Sequence, residues 1–517
     1  SWKFLIPFLK MAFHSKQLPS TVPKSSRTVA ILLILTSMVT STTYGYDGSM
    51  MTALNILPSY TDYFTLTTAT LGLNTGAVYI GCVLSSFAFA KLPDYVGRRY
   101  ALFYGAIFTL IGVVLQTAAQ HIAMFVVGRI VIGFGVGACS IAAPVYLAET
   151  LPVKWRAWGI GIYFDFWYVG ALISAGVTYG TAQMDSTWAW RLPSFLQGLF
   201  SLMCLVLLPF VPESPRWLQA SGYHDEARVA LAHIYSNGDI DDEQVVAHLH
   251  QISDAIAFEQ SHETVSALKM LESPSLRRRL FIVASVALFS MLSGNAVITY
   301  YLGKMLTGAG ITDSNAQLKI NICLNAWCLV ISLFGTSFAD SLGRKPLAAI
   351  STALMVVFMF MFGALTCVYG LSTNTSAIYA TVASIFFFQG SYSLGWTPLC
   401  TMYPPEILNY GMRSTGMAFY TFIVNGTGLF NAFTFPFALK GIGWKMYMIQ
   451  GTWDIIELAV VLFFYVETKG KTLEEIDVIF EGERLVDTEK VEQSDNSDSS
   501  PAIKDFPIVK EQLIGIN

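Results

Sequence analysis

Five ionisable residues lie in stretches of this 517-residue chain that are otherwise apolar: Asp47, Arg129, Asp165, Asp454 and Glu457. A charge in a hydrocarbon layer costs roughly 2.5–3.5 kcal/mol on insertion scales, so such residues are candidates for ion or substrate paths. Asp47 ends the first apolar stretch in TyrGlyTyrAsp, and Arg129 begins the fourth in GlyArgIleValIleGlyPheGlyValGly. If they face each other, two readings stand: a permanent structural ion pair, or a coupling pair. In the second, protonating Asp47 weakens the contact and links proton entry to solute exchange.

A second group of side chains suits a hydroxyl-rich solute. Amides and carboxylates bond hydroxyls, and aromatic faces cover C–H surfaces. The candidate contacts are Tyr163, Asp165, Asn295, Tyr300, Tyr301, Asn325, Trp396 and Asn425, amid further polar neighbours such as Trp167, Tyr168, Thr299, Asn321, Gln389, Tyr392 and Asn431. For each of them, hydrogen bonding between helices is the competing reading.

A third set pairs acids with guanidinium groups and occurs twice. AspTyrValGlyArgArg (Asp94, Arg98, Arg99) recurs as AspSerLeuGlyArgLys (Asp340, Arg344, Lys345). Glu149 with Arg156 seven residues on recurs as Glu406 with Arg413. ProGluSerProArg (Glu213, Arg216) recurs as ValGluThrLysGly (Glu467). The intervals run 94 to 149 to 213 and 340 to 406 to 467, the pattern of a duplicated unit. Arg forks bind carboxylates bidentately, so these pairs predict a gate that locks one side across the two halves. A mere topological marker of basic loops would need no matched acids at fixed spacing.

The elements that must hold these residues follow from composition. With 54% hydrophobic and 13% charged residues, the chain has about half the usual charge of a soluble domain. Charges cluster between stretches long enough to span a ~30 Å core. The spans are expected at 28–52, 66–90, 100–120, 122–147, 157–180, 191–211, 280–302, 318–339, 346–369, 377–403, 414–438 and 446–466. Basic residues gather on alternate loops (Lys24/Arg27, Arg98/Arg99, Lys154/Arg156, Arg277–Arg279, Arg344/Lys345, Arg413), which marks that side, and both termini, as cytoplasmic. The opposite loops include the sequon Asn374-Thr375-Ser376, so Asn374 is the candidate glycosylation site.

The layout is therefore an all-α membrane protein of twelve helices in two pseudo-symmetric six-helix bundles. The boundaries expected are an N-terminus at 1–27, a first bundle at 28–211, a helical cytoplasmic linker at 212–279, a second bundle at 280–466 and a polar, largely disordered tail at 467–517. Within the linker, Asp225–Tyr235 and Asp242–Phe258 carry apolar residues at helical spacing. The chain opens on Ser with Met11 following, so residues 1–10 are set aside as a possible gene-model artefact.

Other classes are disfavoured. The seven cysteines form no CxxC or His-Cys cluster and read as small buried apolar residues, with no metal expected. Gly133, Gly135 and Gly137 evoke a phosphate loop, but no Walker lysine follows, and close helix packing is the reading preferred. None of the seven histidines lies in a transmembrane polar cluster and no catalytic triad spacing appears, so no enzyme and no cofactor is expected. Nothing suggests a nucleic-acid partner. The expected partners are a small solute, protons and the bilayer, with the chain a monomer.

The paired AspxxGlyArg motifs, Gly128-Arg129, ProGluSerProArg and ValGluThrLysGlyLysThrLeuGluGluIle (466–476) together resemble the sugar porter family of the major facilitator superfamily, over about residues 30 to 482. SerGlyAsnAlaValIleThrTyrTyrLeu (293–302) and TrpAlaTrpArgLeuProSerPheLeuGlnGly (188–198) look closer to its fungal lactose permease and oligosaccharide-porter branch. The resemblance implies a fungal plasma-membrane protein that moves a hexose or disaccharide by proton symport. It also implies proton coupling at Asp47 and Arg129, and sugar contacts at Asn295, Tyr300 and Tyr301. The sequence departs from the family at Phe164 and Met291, where glutamine is common, and at Leu292 and Thr401, where tryptophan is. Missing amides shift hydroxyl recognition. A non-sugar organic solute or a non-transporting sugar sensor are the alternatives.

Overall fold

The computed structural model describes residues 21–89, 91–261, 273–370, 374–408, 412–471 and 473–481. Its spanning elements are α1 (Ser26–Leu54), α2 (Thr68–Phe89), α3 (Arg98–Thr117), α4 (Ile122–Thr150), α5 (Val153–Thr181), α6 (Trp188–Phe210), α7 in two pieces, α8 (Ser314–Leu342), α9 (Arg344–Tyr369), α10 (Thr375–Ile407), α11 (Arg413–Ile442) and α12 (Lys445–Phe464). Most run a few residues past the apolar windows, because a helix ends where a cap is found and not where hydrophobicity stops. At 29 residues and about 43 Å, α1 outreaches a bilayer core. Ser25 caps it by accepting from the Thr28 amide, and Asp313 caps α8 through the amides of Asn315 and Ala316.

Among the described residues eleven spans are long and apolar enough to cross a membrane by composition alone. The twelfth, α10, has 33 residues, but buried Gln389, Ser391, Tyr392 and Ser393 dilute its apolar character. Helix α7 differs from expectation. Instead of one rod it is α7a (Pro274–Leu292) and α7b (Asn295–Gly308), separated at Gly294, whose φ of 87° lies in the left-handed region that glycine tolerates. A further non-helical residue, Tyr301 (φ −125°, ψ 23°), kinks α7b.

Packing repeats at an offset of six helices. In the first bundle α3 packs on α4, α2 on α4 and α1 on α5; in the second α9 packs on α10, α8 on α10 and α7 on α11. The bundles meet along two seams, α2 with α11 and α5 with α8. Gly133, Gly135 and Gly137 on α4 are packing residues: a Cβ at Gly133 would lie 2.0 Å from the Val78 carbonyl oxygen, and one at Gly135 2.4 Å from that of Gly105. The cysteine reading needs correction. Cys82, Cys139, Cys204 and Cys328 are buried, but Cys323 and Cys367 are exposed, as side chains on an outer, lipid-directed helix face can be.

Between the bundles, short helices form at Pro215–Ala220, His224–Tyr235 and Glu243–Ser261, the first of them unforeseen. The N-terminal end of α1 is tied to this linker. Ser26 donates its amide to Asn237 Oδ1 at 2.9 Å, and Asn237 donates its own to Ser26 Oγ at 2.8 Å. Leu473–Glu481 forms a separate nine-residue helix. Residues 1–20, linker residues 262–272 and the tail from 482 onward lie outside the described residues.

Candidate functional site

The first bundle encloses the ion pair. Asp47, three-quarters of the way along α1, and Arg129, two turns into α4, are 1% and 0% exposed. Arg129 Nη1 and Nη2 donate to Asp47 Oδ1 and Oδ2 at 3.0 and 3.1 Å, a bidentate fork, while its Nε donates to the Asn74 carbonyl at 2.7 Å. Gln197 of α6 adds a third donor to Asp47 Oδ1 at 2.8 Å. Sequence reasoning overlooked Gln197, although a lone glutamine within an apolar span was a signal. The glycines around Asp47 set its depth. A Cβ at Gly45 would lie 1.8 Å from the Trp167 carbonyl oxygen and one at Gly170 2.0 Å from that of Thr42, so α1 and α5 touch backbone to backbone.

The candidate solute contacts separate into two groups. Asn295 opens α7b directly after Gly294; its Oδ1 accepts from Gln389 Nε2 at 2.5 Å and Thr299 Oγ1 at 3.2 Å. Asn325 on α8 donates to the Asn321 carbonyl at 2.8 Å and to Ser49 of α1 at 3.4 Å. The Tyr300 hydroxyl meets that of Tyr79 on α2 at 2.9 Å, joining the two bundles. Asn425 on α11 is nearly buried. Asn325 and Tyr300 thus meet polar side chains of the first bundle, and Asn295 those of the second.

The others are engaged elsewhere in the fold. Trp396 is wholly buried, with Nε1 on Thr352 Oγ1 at 3.0 Å. Tyr163 sits in the apolar core of the first bundle, 3.4 Å from Thr40 and edge-on to Phe164. Tyr301 donates its hydroxyl to the Ala432 carbonyl. Asp165 lies on the α5–α8 seam, where Oδ2 accepts from Thr336 at 2.9 Å and Oδ1 is buried with no hydrogen-bond partner among the described residues. In α12, Asp454 and Glu457 are fully buried; among the described residues neither Asp454 oxygen has a hydrogen bond, while Glu457 Oε1 accepts from Trp453 at 2.5 Å.

The acid–guanidinium motifs form two matching cradles. In each, a carboxylate caps the start of a helix: Glu213 accepts from the amides of Arg98 (3.0 Å) and Arg99 (3.2 Å), and Glu467 from those of Arg344 (2.9 Å) and Lys345 (3.0 Å). The preceding glycines, Gly97 and Gly343, both have φ of 98°, and a Cβ there would lie 2.6 and 2.7 Å from the Glu213 and Glu467 oxygens. Arg98 pairs with Glu149 at 2.9 Å and Asp94 at 3.1 Å; Arg344 pairs with Glu406 at 2.8 Å. Ser214 and Thr468 complete the cradles by donating to Glu149 and Glu406. Burial pushes the Glu213 carboxyl above its ordinary range, against the pull of the Ser214 amide and of Arg99 and Arg98.

Among the described residues these pairs fasten helices within one bundle and do not bridge the two, contrary to the expected lock across halves. The side chains of Arg156, Asp340 and Arg413 lie outside the described residues. Arg216 is on the first turn of the helix that follows Glu213. Hydrogen bonds between the bundles do form at the end away from the linker. The kink at Tyr301 turns out carbonyls that side chains of α1 capture: Thr52 donates to the Thr299 oxygen and Asn55 to the Tyr300 oxygen at 3.2 Å. Ser314 adds a bond to the Ile56 carbonyl at 3.3 Å, and Gln183 one to Asn315 at 2.9 Å. At that same end Asn374 caps α10 by accepting from the Ser376 amide through Oδ1.

A family model described as "Sugar (and other) transporter" matches residues 33–480. Over 454 residues the chain is 30% identical to the high-affinity glucose transporter of Kluyveromyces lactis, covering 84% of this chain and 82% of that protein. It is 28% identical over 463 residues to MFS-type transporter criB of Aspergillus cristatus, covering 89% and 95%. Among solved structures, the proton:xylose symporter XylE of the major facilitator superfamily, bound to 6-bromo-6-deoxy-D-glucose, has a TM-score of 0.73 at 23% identity, over 88% of this chain and 100% of that one; it shows a shared fold.

Proposed function

Since the chain belongs to the sugar (and other) transporter family of the major facilitator superfamily, we propose that it carries a neutral sugar, a hexose or disaccharide, across a fungal plasma membrane as a proton symporter. It is a transporter and not an enzyme. The observation that carries the symport reading is the fork between Asp47 and Arg129, wholly buried in the first bundle. A carboxylate that takes up a proton here loses two charge-assisted bonds to Arg129 at once, and α1 is released from α4.

The same helix, α1, holds Ser49 against Asn325 and Thr52 and Asn55 against α7b. Protonation state and the closure away from the linker therefore act on one rod. With the linker side cytoplasmic, as the basic loops suggest, these bonds close the outer side in an alternating-access cycle. Asn295 and Asn325 then receive the sugar hydroxyls, and the cradles keep each bundle rigid while it rocks.

The assay is uptake of labelled glucose, xylose and lactose into cells lacking their own carriers, with and without a proton uncoupler. Lactose belongs in the panel because residues 293–302 and 188–198 resemble the lactose permease branch. No uptake of any sugar at any pH sinks the reading. The second reading, a non-sugar organic solute, is favoured by the lone seam carboxylate Asp165 and by Phe164 and Met291 where amides are absent. Under it Asp165→Asn abolishes transport of a cationic cargo, whereas sugar uptake tolerates that change.

A further inference from the structure

The break in α7 leaves the carbonyls before Gly294 without helical partners, and two amide side chains from other helices take them. Asn431 of α11 donates Nδ2 to the Met291 oxygen at 2.5 Å, and Gln450 of α12 donates Nε2 to the Leu292 oxygen. Both amides are nearly or wholly buried, at 0% and 6% exposure. Backbone groups freed inside a membrane must be satisfied by something, and a break survives only where such donors stand. Gln450 also closes the space over Gly294: a Cβ there would lie 2.9 Å from Gln450 Cγ and 2.6 Å from Met359 Cε.

Asn295 is the next residue. Its Oδ1 is already engaged by Gln389 and Thr299, so its Nδ2 is the group left to donate toward a solute. The direction of that donor is fixed by where α7b begins, and the start of α7b is fixed by the two carbonyls behind it. We propose that Asn431 and Gln450 are positioning residues for solute recognition. They pin the α7a–α7b junction, so that the Asn295 amide is presented at one orientation, and they set affinity without touching the solute. This rests on the sugar-transport reading for its cargo but not for its geometry.

The test pairs an uptake arm with one that needs no cargo. In labelled-glucose uptake, Gln450→Met keeps the bulk and removes the donor. It raises the half-saturating concentration about 10-fold, the loss of one buried hydrogen bond, well beyond any change in maximal rate. Combined with Asn295→Ala it adds nothing, because the two act through one contact. Asn431→Leu, of similar size but without the donor, behaves alike. In the second arm, hydrogen–deuterium exchange of the purified full chain speeds up over residues 288–300 in both variants. An unchanged half-saturation, or an effect that multiplies with Asn295→Ala, overturns the positioning role. Unchanged exchange overturns the clamp itself. Absence of glucose uptake by the unsubstituted chain instead removes the sugar reading and leaves the exchange arm to decide.

Discussion

Neutralising Asp47 is the sharpest perturbation available. Asp47→Asn keeps the shape and removes the charge that holds Arg129 by two bonds of 3.0 and 3.1 Å. The guanidinium keeps only the Asn74 carbonyl as a full partner, and breaking a buried pair from one side costs about 3–5 kcal/mol. The consequence for transport follows from stoichiometry. One coupling carboxylate in the first bundle carries one proton, and one charge moving through 100 mV yields about 2.3 kcal/mol, enough for roughly 50-fold accumulation of a neutral solute. Asp47→Asn lowers that ratio to one, while exchange of labelled for unlabelled sugar across the membrane continues. The assay is proteoliposomes with an imposed proton gradient, read as steady-state internal over external sugar. Accumulation by Asp47→Asn comparable to the unsubstituted chain, collapsed by an uncoupler in both, refutes the assignment. Arg129→Lys tests the same fork from the other side, since an ammonium cannot reproduce the bidentate geometry and accumulation falls there too.

Three further outcomes are expected. Asn55→Ala removes a donor to the Tyr300 carbonyl, about 1 kcal/mol of the closure away from the linker, so a Ser49→Cys reporter labels from outside about five-fold faster; an unchanged rate rejects the latch. Glu213 is tested by the pH dependence of the melting temperature of the detergent-solubilised chain, compared with Glu213→Gln. Because the folded carboxyl titrates above its ordinary range, Glu213 makes stability fall as pH rises through the window above 4.5, by at most about 1.4 kcal/mol per pH unit. The glutamine variant flattens that slope, and an identical slope in both chains counts against the assignment. Asn374→Gln abolishes any glycosidase-sensitive gel shift in a fungal host, the sugar being carried on Nδ2 while Oδ1 stays on the Ser376 amide; a shift that persists places the glycan elsewhere.

The spanning helices were legible because hydrophobic length is counted residue by residue, and the repeat because its charges sit at helix ends where spacing survives duplication. The contacts of the charges were less so. Arg98 and Glu149 could be paired from sequence, but whether such a pair fastens one bundle or bridges two depends on which helices are neighbours, and spacing does not carry that. The α7 junction was hidden for a different reason. Gly294 sits in an apolar run where a glycine for packing and a glycine for a left-handed turn read alike, and the amides that make the break tolerable, Asn431 and Gln450, come from helices over a hundred residues away. The contacts of Trp396 with Thr352 and of Tyr163 with Phe164 were hidden because residue type shows what a side chain can bind and not which way its helix face is turned.

The twin cradles carry a consequence for how such a protein is assembled. Each bundle closes its own caps and ion pairs with residues of its own segment, Glu213 with Arg98 and Glu149 in one, Glu467 with Arg344 and Glu406 in the other. Among the described residues neither half borrows a cap or an ion pair of its cradle from its twin, so each cradle can close in the membrane as soon as its sixth helix has been inserted. A polypeptide severed between residues 261 and 273 and produced as two separate chains is then expected to reassemble into a working carrier.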